Sequence, residues 1–287
     1  MASDGPRFPP ELEREIFIMA SIMYPHSIPH FLQVAHRVLI WTEPFMYRVL
    51  RINKDRPSGS LNRARAILRA FRLKSKPAAF FDSAVRHLVL EDKTAWSWRA
   101  TMDLLELSSG LVDFAALGDS ADPILLPKLA GMHLKRIAGN LMRLFGGAID
   151  LCHPSFIFIT HLDVFDRISD GETQICSQIP LLPALTHLSF HNDAVPWITM
   201  ERFLVECLKL EVLVNLWHRT KQRYAHEKTA TVPIHDVRLV LYLYNDYWDE
   251  WEADARNLRP NFWSLADDFV GRKRNGLINV HQYWLSS

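Results

Sequence analysis

Apolar residues recur along this chain in two rhythms, one of helical and one of strand period. From Glu11 onward Leu12, Ile16, Met19, Ala20 and Met23 fall at helical spacing, and Phe17 widens the stripe. Pro9 and Pro10 fix the backbone just ahead of this helix, where the early N–H groups lack intrahelical partners in any case. Glu11, Glu13 and Glu15 suit its positive end, and Pro25 and Pro29 stop it. A second helical pattern carries Leu32, Val34, Ala35, Val38, Leu39 and Trp41 and ends before Pro44. Helices this short cannot bury a core alone, so residues 1–46 are expected to form a small module packed on the rest of the chain. Residues 47–52 then alternate as a strand does, and a loop at 56–60 leads to a helix over 61–73.

Beyond this point the pattern repeats. An apolar-x-x-Leu-x-apolar motif appears as Val85, Leu88 and Leu90, and returns around Phe114, Leu134, Leu162, Leu188, Leu213 and Leu239. Successive anchors stand 26, 20, 28, 26, 25 and 26 residues apart. That matches the period of leucine-rich-type repeats, roughly 20–29 residues. The intervening segments 96–107 and 198–208 read as helices running into the next strand. The expectation is an α/β fold: a degenerate repeat solenoid over residues 47–260, with parallel strands on one face and helices on the other. Leu88 and Leu90, two apart, point into the shared core. Two features strain the array: the 20-residue interval, and Arg136 where the copy at Leu134 needs an apolar residue.

The residues just before the anchors alternate to the opposite face, which a solenoid leaves open to partners. Among them His87, Asp113, His133, His161, His187 and Arg238 are therefore expected to contact a target. The histidines read as surface side chains and not as a metal site, because no cysteine or carboxylate joins them at liganding spacing. Near the end, residues 246–254 hold five acids and two tryptophans with no base. They read as a connection whose tryptophans pack on the last repeat, with an exposed aromatic-acidic docking loop as the other reading. Residues 262–270 form an amphipathic helix closed by Arg272, Lys273 and Arg274, with Asn275 and Gly276 as the stop. This segment, 261–287, is expected to cap the end of the solenoid.

Composition narrows the function. The 287 residues carry a net charge of +1, so neither nucleic acid nor an acidic membrane is the expected partner. Three cysteines without a CxxC pair suit a reducing compartment. No secretory start or membrane-length apolar stretch is present, so the expected location is cytoplasmic, nuclear or both. Ten Lys or Arg against one acid, Asp55, lie between Arg48 and Lys76. They read as a solvated face around Leu61, Ala64, Leu68 and Phe71, with a phosphate-binding patch as the other reading. A phosphate loop, HExxH and GxSxG are all missing. Asp163 with Asp166, and Asp267 with Asp268, read as surface capping pairs, and Cys207 as a buried structural cysteine. The chain is expected to be a binding protein without enzymatic activity, cofactor or metal.

The run from Phe8 through Pro9, Pro10, Glu11 and Leu12 to Ile16 and Phe17 resembles the opening of an F-box, usually Leu-Pro-x-Glu-Leu followed by Ile-Phe. Phe8 stands here in place of the leucine. Residues 34–38, with Trp41 and residues 43–48, resemble the second half of F-box-like segments in mushroom-forming fungi. Residues 268–278 are similar to the C-terminal helix of those proteins. The resemblance implies a substrate-recognition adaptor of an SCF-type cullin ubiquitin ligase. Pro9, Pro10, Leu12, Ile16 and Phe17 would then contact a Skp-like adaptor, Val34, Val38 and Trp41 would complete that surface, and the repeats would hold a target protein. A repeat scaffold that binds proteins without any ligase is the alternative.

Overall fold

The computed structural model describes residues 8–53, 59–92, 94, 96–168 and 174–285. Most of the expected loop at 56–60 lies outside the described residues, as do residues 1–7. The N-terminal module comprises α1 (Pro10–Met23), the single-turn α2 (Ile28–Phe31) and α3 (His36–Thr42). Helix α1 lies against α3, tied by a Glu13–Arg37 ion pair at 2.8 Å, and meets the end of α2 through the Phe17 and Phe31 rings, edge to face at 5.7 Å.

Among the described residues, short apolar runs then form eight strands. They are β1 (Val49–Ile52), β2 (His87–Leu90), β3 (Asp113–Ala116), β4 (Arg136–Gly139), β5 (His161–Val164), β6 (His187–His191), β7 (Val212–His218) and β8 (Leu239–Tyr244). They pair in chain order, every pair parallel. The register aligns Leu50, Leu88, Phe114, Ile137, Leu162, Leu188, Leu213 and Leu239 in one row, all buried in a single core.

This row corrects the third of the expected repeats, the one that falls on β4. Its anchor is Ile137, not Leu134, so the intervals on either side become 23 and 25 residues and the short spacing disappears. Leu134 is fully buried too, but in the turn before the strand, which is why its apolar signal misled the count. Arg136 consequently faces the other side of the sheet, where Asp254 pairs with it at 3.0 Å. Gly139 ends β4 at φ +154, and a Cβ there would meet the Ala116 carbonyl oxygen at 2.3 Å. Neighbouring strands approach closely only because that position lacks a side chain.

The connections supply α4 (Gly59–Arg72), α5 (Ala78–Ala84), α6 (Trp98–Leu107), α7 (Leu126–Leu129), α8 (Leu141–Phe145), α9 (Gln174–Gln178), α10 (Trp197–Glu206) and α11 (Gln222–Lys228). Their apolar faces, such as Ile67 of α4, Leu104 of α6, Leu144 of α8 and Phe203 of α10, close over the anchor row.

Two further helices, α12 (Tyr247–Ala255) and α13 (Phe262–Arg274), return across the opposite face. The acidic segment expected as a connection is thus a helix. Asp246 caps it by accepting from the Trp248 and Asp249 N–H groups, as Asn261 caps α13. Trp251 and Ala255 of α12 pack on Val49, Val89, Ala115 and Ala138, covering β1 to β4. Phe262, Trp263, Ala266, Phe269 and Val270 of α13 pack on Val212, Val214 and Val240, covering β7 and β8. Helix α13 therefore lies on the face of the sheet and does not cap its end. The free edge of β8 is met instead by residues 283–285, through Leu241 N–H to Tyr283 at 2.8 Å and Leu285 N–H to Leu241 at 3.0 Å. The result is three layers, with a parallel sheet buried on both faces. Among the described residues no helix is long and apolar enough to cross a membrane.

Candidate functional site

Helix α1 is apolar on both sides. One side is used: Phe17, Ile18 and Ala20 are partly covered and Ser21 is buried, its hydroxyl donating to the Phe17 carbonyl. The other side is not. Leu12 is 54 % exposed and Ile16 52 %, and Phe8, Met19 and Met23 are exposed to a similar degree. Leu12, Ile16, Met19 and Met23 follow helical spacing along one outward stripe of α1, and Phe8 is exposed just ahead of it. Single exposed apolar residues are ordinary, but a contiguous row is the feature that marks an interaction surface.

The eight positions carried over from the F-box resemblance separate accordingly. Pro9, Pro10, Leu12 and Ile16 are exposed on α1 or at its start, and Val34 is exposed in the turn before α3. Phe17 and Trp41 are only partly exposed. Val38 is 0 % exposed, sealed inside the module, so the expectation that it forms part of a docking surface is corrected.

The target-facing row is corrected more broadly, because α12 and α13 cover it. His161 and His187 stack ring on ring at 4.0 Å, with Trp263 edge-on to both. Thr160 Oγ1 lies 2.9 Å from His161 Nδ1, and Thr186 Oγ1 lies 2.7 Å from His187 Nδ1. His187 Nε2 reaches Asp267 of α13 at 2.8 Å. Burial, then the neighbouring His187 and Arg136, push the His161 pKa down to about 2. Asp113 is buried 3.4 Å from His87, whose ring meets Trp251. His133 precedes β4 and is exposed beside the Phe158 ring, away from the row. Arg238 precedes β8 and turns toward the helical layer, donating to the Leu204 and Leu210 carbonyls and pairing with Asp236.

A buried polar seam joins the sheet to α12. Arg51 pairs with Glu91 and, at 2.7 Å, with Asp249. Asp163 accepts from the Tyr247 hydroxyl and from His191 Nε2 at 3.1 Å, while Phe165 stacks on His191 at 4.1 Å. Sequence reading missed Arg51, His191, Tyr247 and Asp249 as partners. The available signal was the match between acids at 246–254 and cations along the outward strand positions. Asp163 and Asp166, read as surface residues, are both buried. Asp166 does cap, accepting from the Leu141 and Met142 N–H groups at the start of α8. Cys207 is buried at the end of α10, and burial raises its thiol pKa to about 11, which keeps it protonated and poorly nucleophilic. Among the described residues no group of three or more metal-binding side chains is placed to hold an ion.

No protein-family model matches this chain, and no curated protein matches it significantly.

Proposed function

We propose that the protein is a non-catalytic adaptor whose N-terminal helices dock a Skp-like partner of a cullin ubiquitin ligase and whose repeat units hold a target. The observation that carries this reading is the uncovered apolar stripe of α1, with Leu12 and Ile16 at its centre. An outward apolar row on a helix that is already anchored by its other face suits helix-in-groove docking. Parallel units of about 25 residues with a continuous shared core suit the leucine-rich-type repeat reading. Because the outward strand row lies beneath α12 and α13, target contacts are assigned to the loops following the strands. Those after β5 to β7 frame a cleft of about 530 Å³ lined by Arg167, Asp193, Trp197 and Lys228.

The test is co-purification of the whole chain with a Skp-type adaptor from a mushroom-forming fungus. The wild type is expected to co-elute, and a Leu12→Asp/Ile16→Asp variant is expected to elute alone with an unchanged thermal melt. Both side chains are about half exposed, so the double change should alter stability by only about 1 kcal/mol or less. A folded wild type that never co-elutes would remove the adaptor reading. It would leave the repeat scaffold without a ligase, which the burial of Val38 favours.

A further inference from the structure

Between the N-terminal module and α5 lies a cleft of about 740 Å³ that the docking stripe does not use. Its basic side chains come from separate elements: Arg14 from α1, His36 from α3, Arg48 just before β1, Lys76 just before α5, and Arg86 just before β2. Its one lining carboxylate, Glu43, is already paired with Lys76. Arg48 and Arg86 are held together by the backbone, since the Arg48 carbonyl accepts the Arg86 N–H at 2.9 Å. Neither guanidinium has an acidic partner among the described residues. Arg48 is stacked 5.5 Å over the Phe45 ring, and its Nε is shut off from solvent without a hydrogen-bond partner.

Two adjacent cations without a counter-charge are unfavourable, and a half-buried guanidinium with an unmet N–H adds to the penalty. Burial and then the neighbouring Arg86 depress the Arg48 pKa. The planar forks of two arginines match the oxygens and the double charge of a phosphate ester better than a single carboxylate does. The remaining walls are largely apolar and include Trp41, Phe45 and Phe80, with Arg48 over the Phe45 ring and Lys76 over the Phe80 ring.

We propose that this cleft binds a phosphate monoester, its dianion between Arg48 and Arg86 and its aromatic carrier against Trp41, Phe45 and Phe80. The carrier is a tyrosyl side chain of a peptide or a free aryl phosphate; the chemistry is the same. The proposal is separable from the adaptor reading, because Leu12 and Ile16 do not line the cleft and Trp41 is the one adaptor position that does.

Calorimetric titration of the full chain with phenyl phosphate, inorganic phosphate and phenol tests it. Phenyl phosphate is expected to saturate one site, inorganic phosphate to bind about tenfold or more weakly, and phenol not to bind measurably. Arg86→Gln is expected to weaken phenyl phosphate about tenfold or more without changing the melt. Arg48→Lys, which keeps the charge but loses the fork, provides a second variant should the first fail to fold. Arg223→Gln, on the exposed side of α11 and not among the residues lining the cleft, is expected to leave binding unchanged. A phosphotyrosyl peptide that binds tighter than phenyl phosphate identifies a peptide source, and equal affinity identifies the free ester. No binding of either by the folded chain, or wild-type affinity in both arginine variants, would overturn the proposal.

Discussion

His161 is a histidine that the fold holds neutral. Its pKa falls from 6.5 to about 2 because it is buried against His187 with Arg136 nearby. The unfolded chain takes up a proton at this position below about pH 6.5, which the folded chain resists down to about 2. Stability present above that window is therefore lost as pH falls through it, at up to about 1.4 kcal/mol per pH unit for a single group. His161→Phe is expected to melt with a shallower acid dependence between pH 7 and 5, monitored by circular dichroism. Parallel slopes in variant and wild type would contradict the assignment. Arg51 makes the opposite case, a buried cation kept charged by Glu91 and Asp249. Arg51→Met strands Glu91, whose side chain is only 10 % exposed, and is expected to lower the unfolding free energy by about 3–5 kcal/mol. Adding Glu91→Leu should restore much of that loss in urea titrations, since both charges are then gone. These pairings were not legible in the sequence, because charge alone does not say which side of a strand is covered.

At the scale of elements, local pattern and observed structure agree wherever the stop signals are local. Helix α1 ends at Met23, before Pro25, and α13 ends at Arg274, with Asn275 as its C-cap and Gly276 at φ +69. The fourth strand shows where local pattern fails. Leu134 and Ile137 are both buried, three residues apart, and either satisfies an apolar-x-x-apolar template. Pairing with Phe114 and Leu162 selects Ile137. Helix α13 carries the largest consequence of tertiary placement, since Trp263 packs both on the histidine pair and in the apolar cluster above β7 and β8. Trp263→Ala is expected to cost about 3–5 kcal/mol, measured by urea unfolding. A surface cap would lose far less, so a change below about 1 kcal/mol would place this ring outside the core.

For the whole molecule, the decisive event is the return of residues 246–274 across a sheet whose strands were laid down in order. A chain truncated after Tyr244 would uncover Val49, Val89, Ala115, Val212, Val214 and Val240 together. It is expected to associate or lose cooperative unfolding, read by size-exclusion chromatography and thermal melts; a monomer with a wild-type melt would show that the covering layer is dispensable. The sequence by itself determined the α/β class, the repeat period and the apolar stripe of α1, because each is written in residues a few positions apart. Only the tertiary structure decided that the outward row is an interior layer. Arg51 meets Asp249 across 198 residues, and Arg136 meets Asp254 across 118. Contacts at such separation depend on how many strands accumulate beneath the returning helices, and no window of sequence contains that sum.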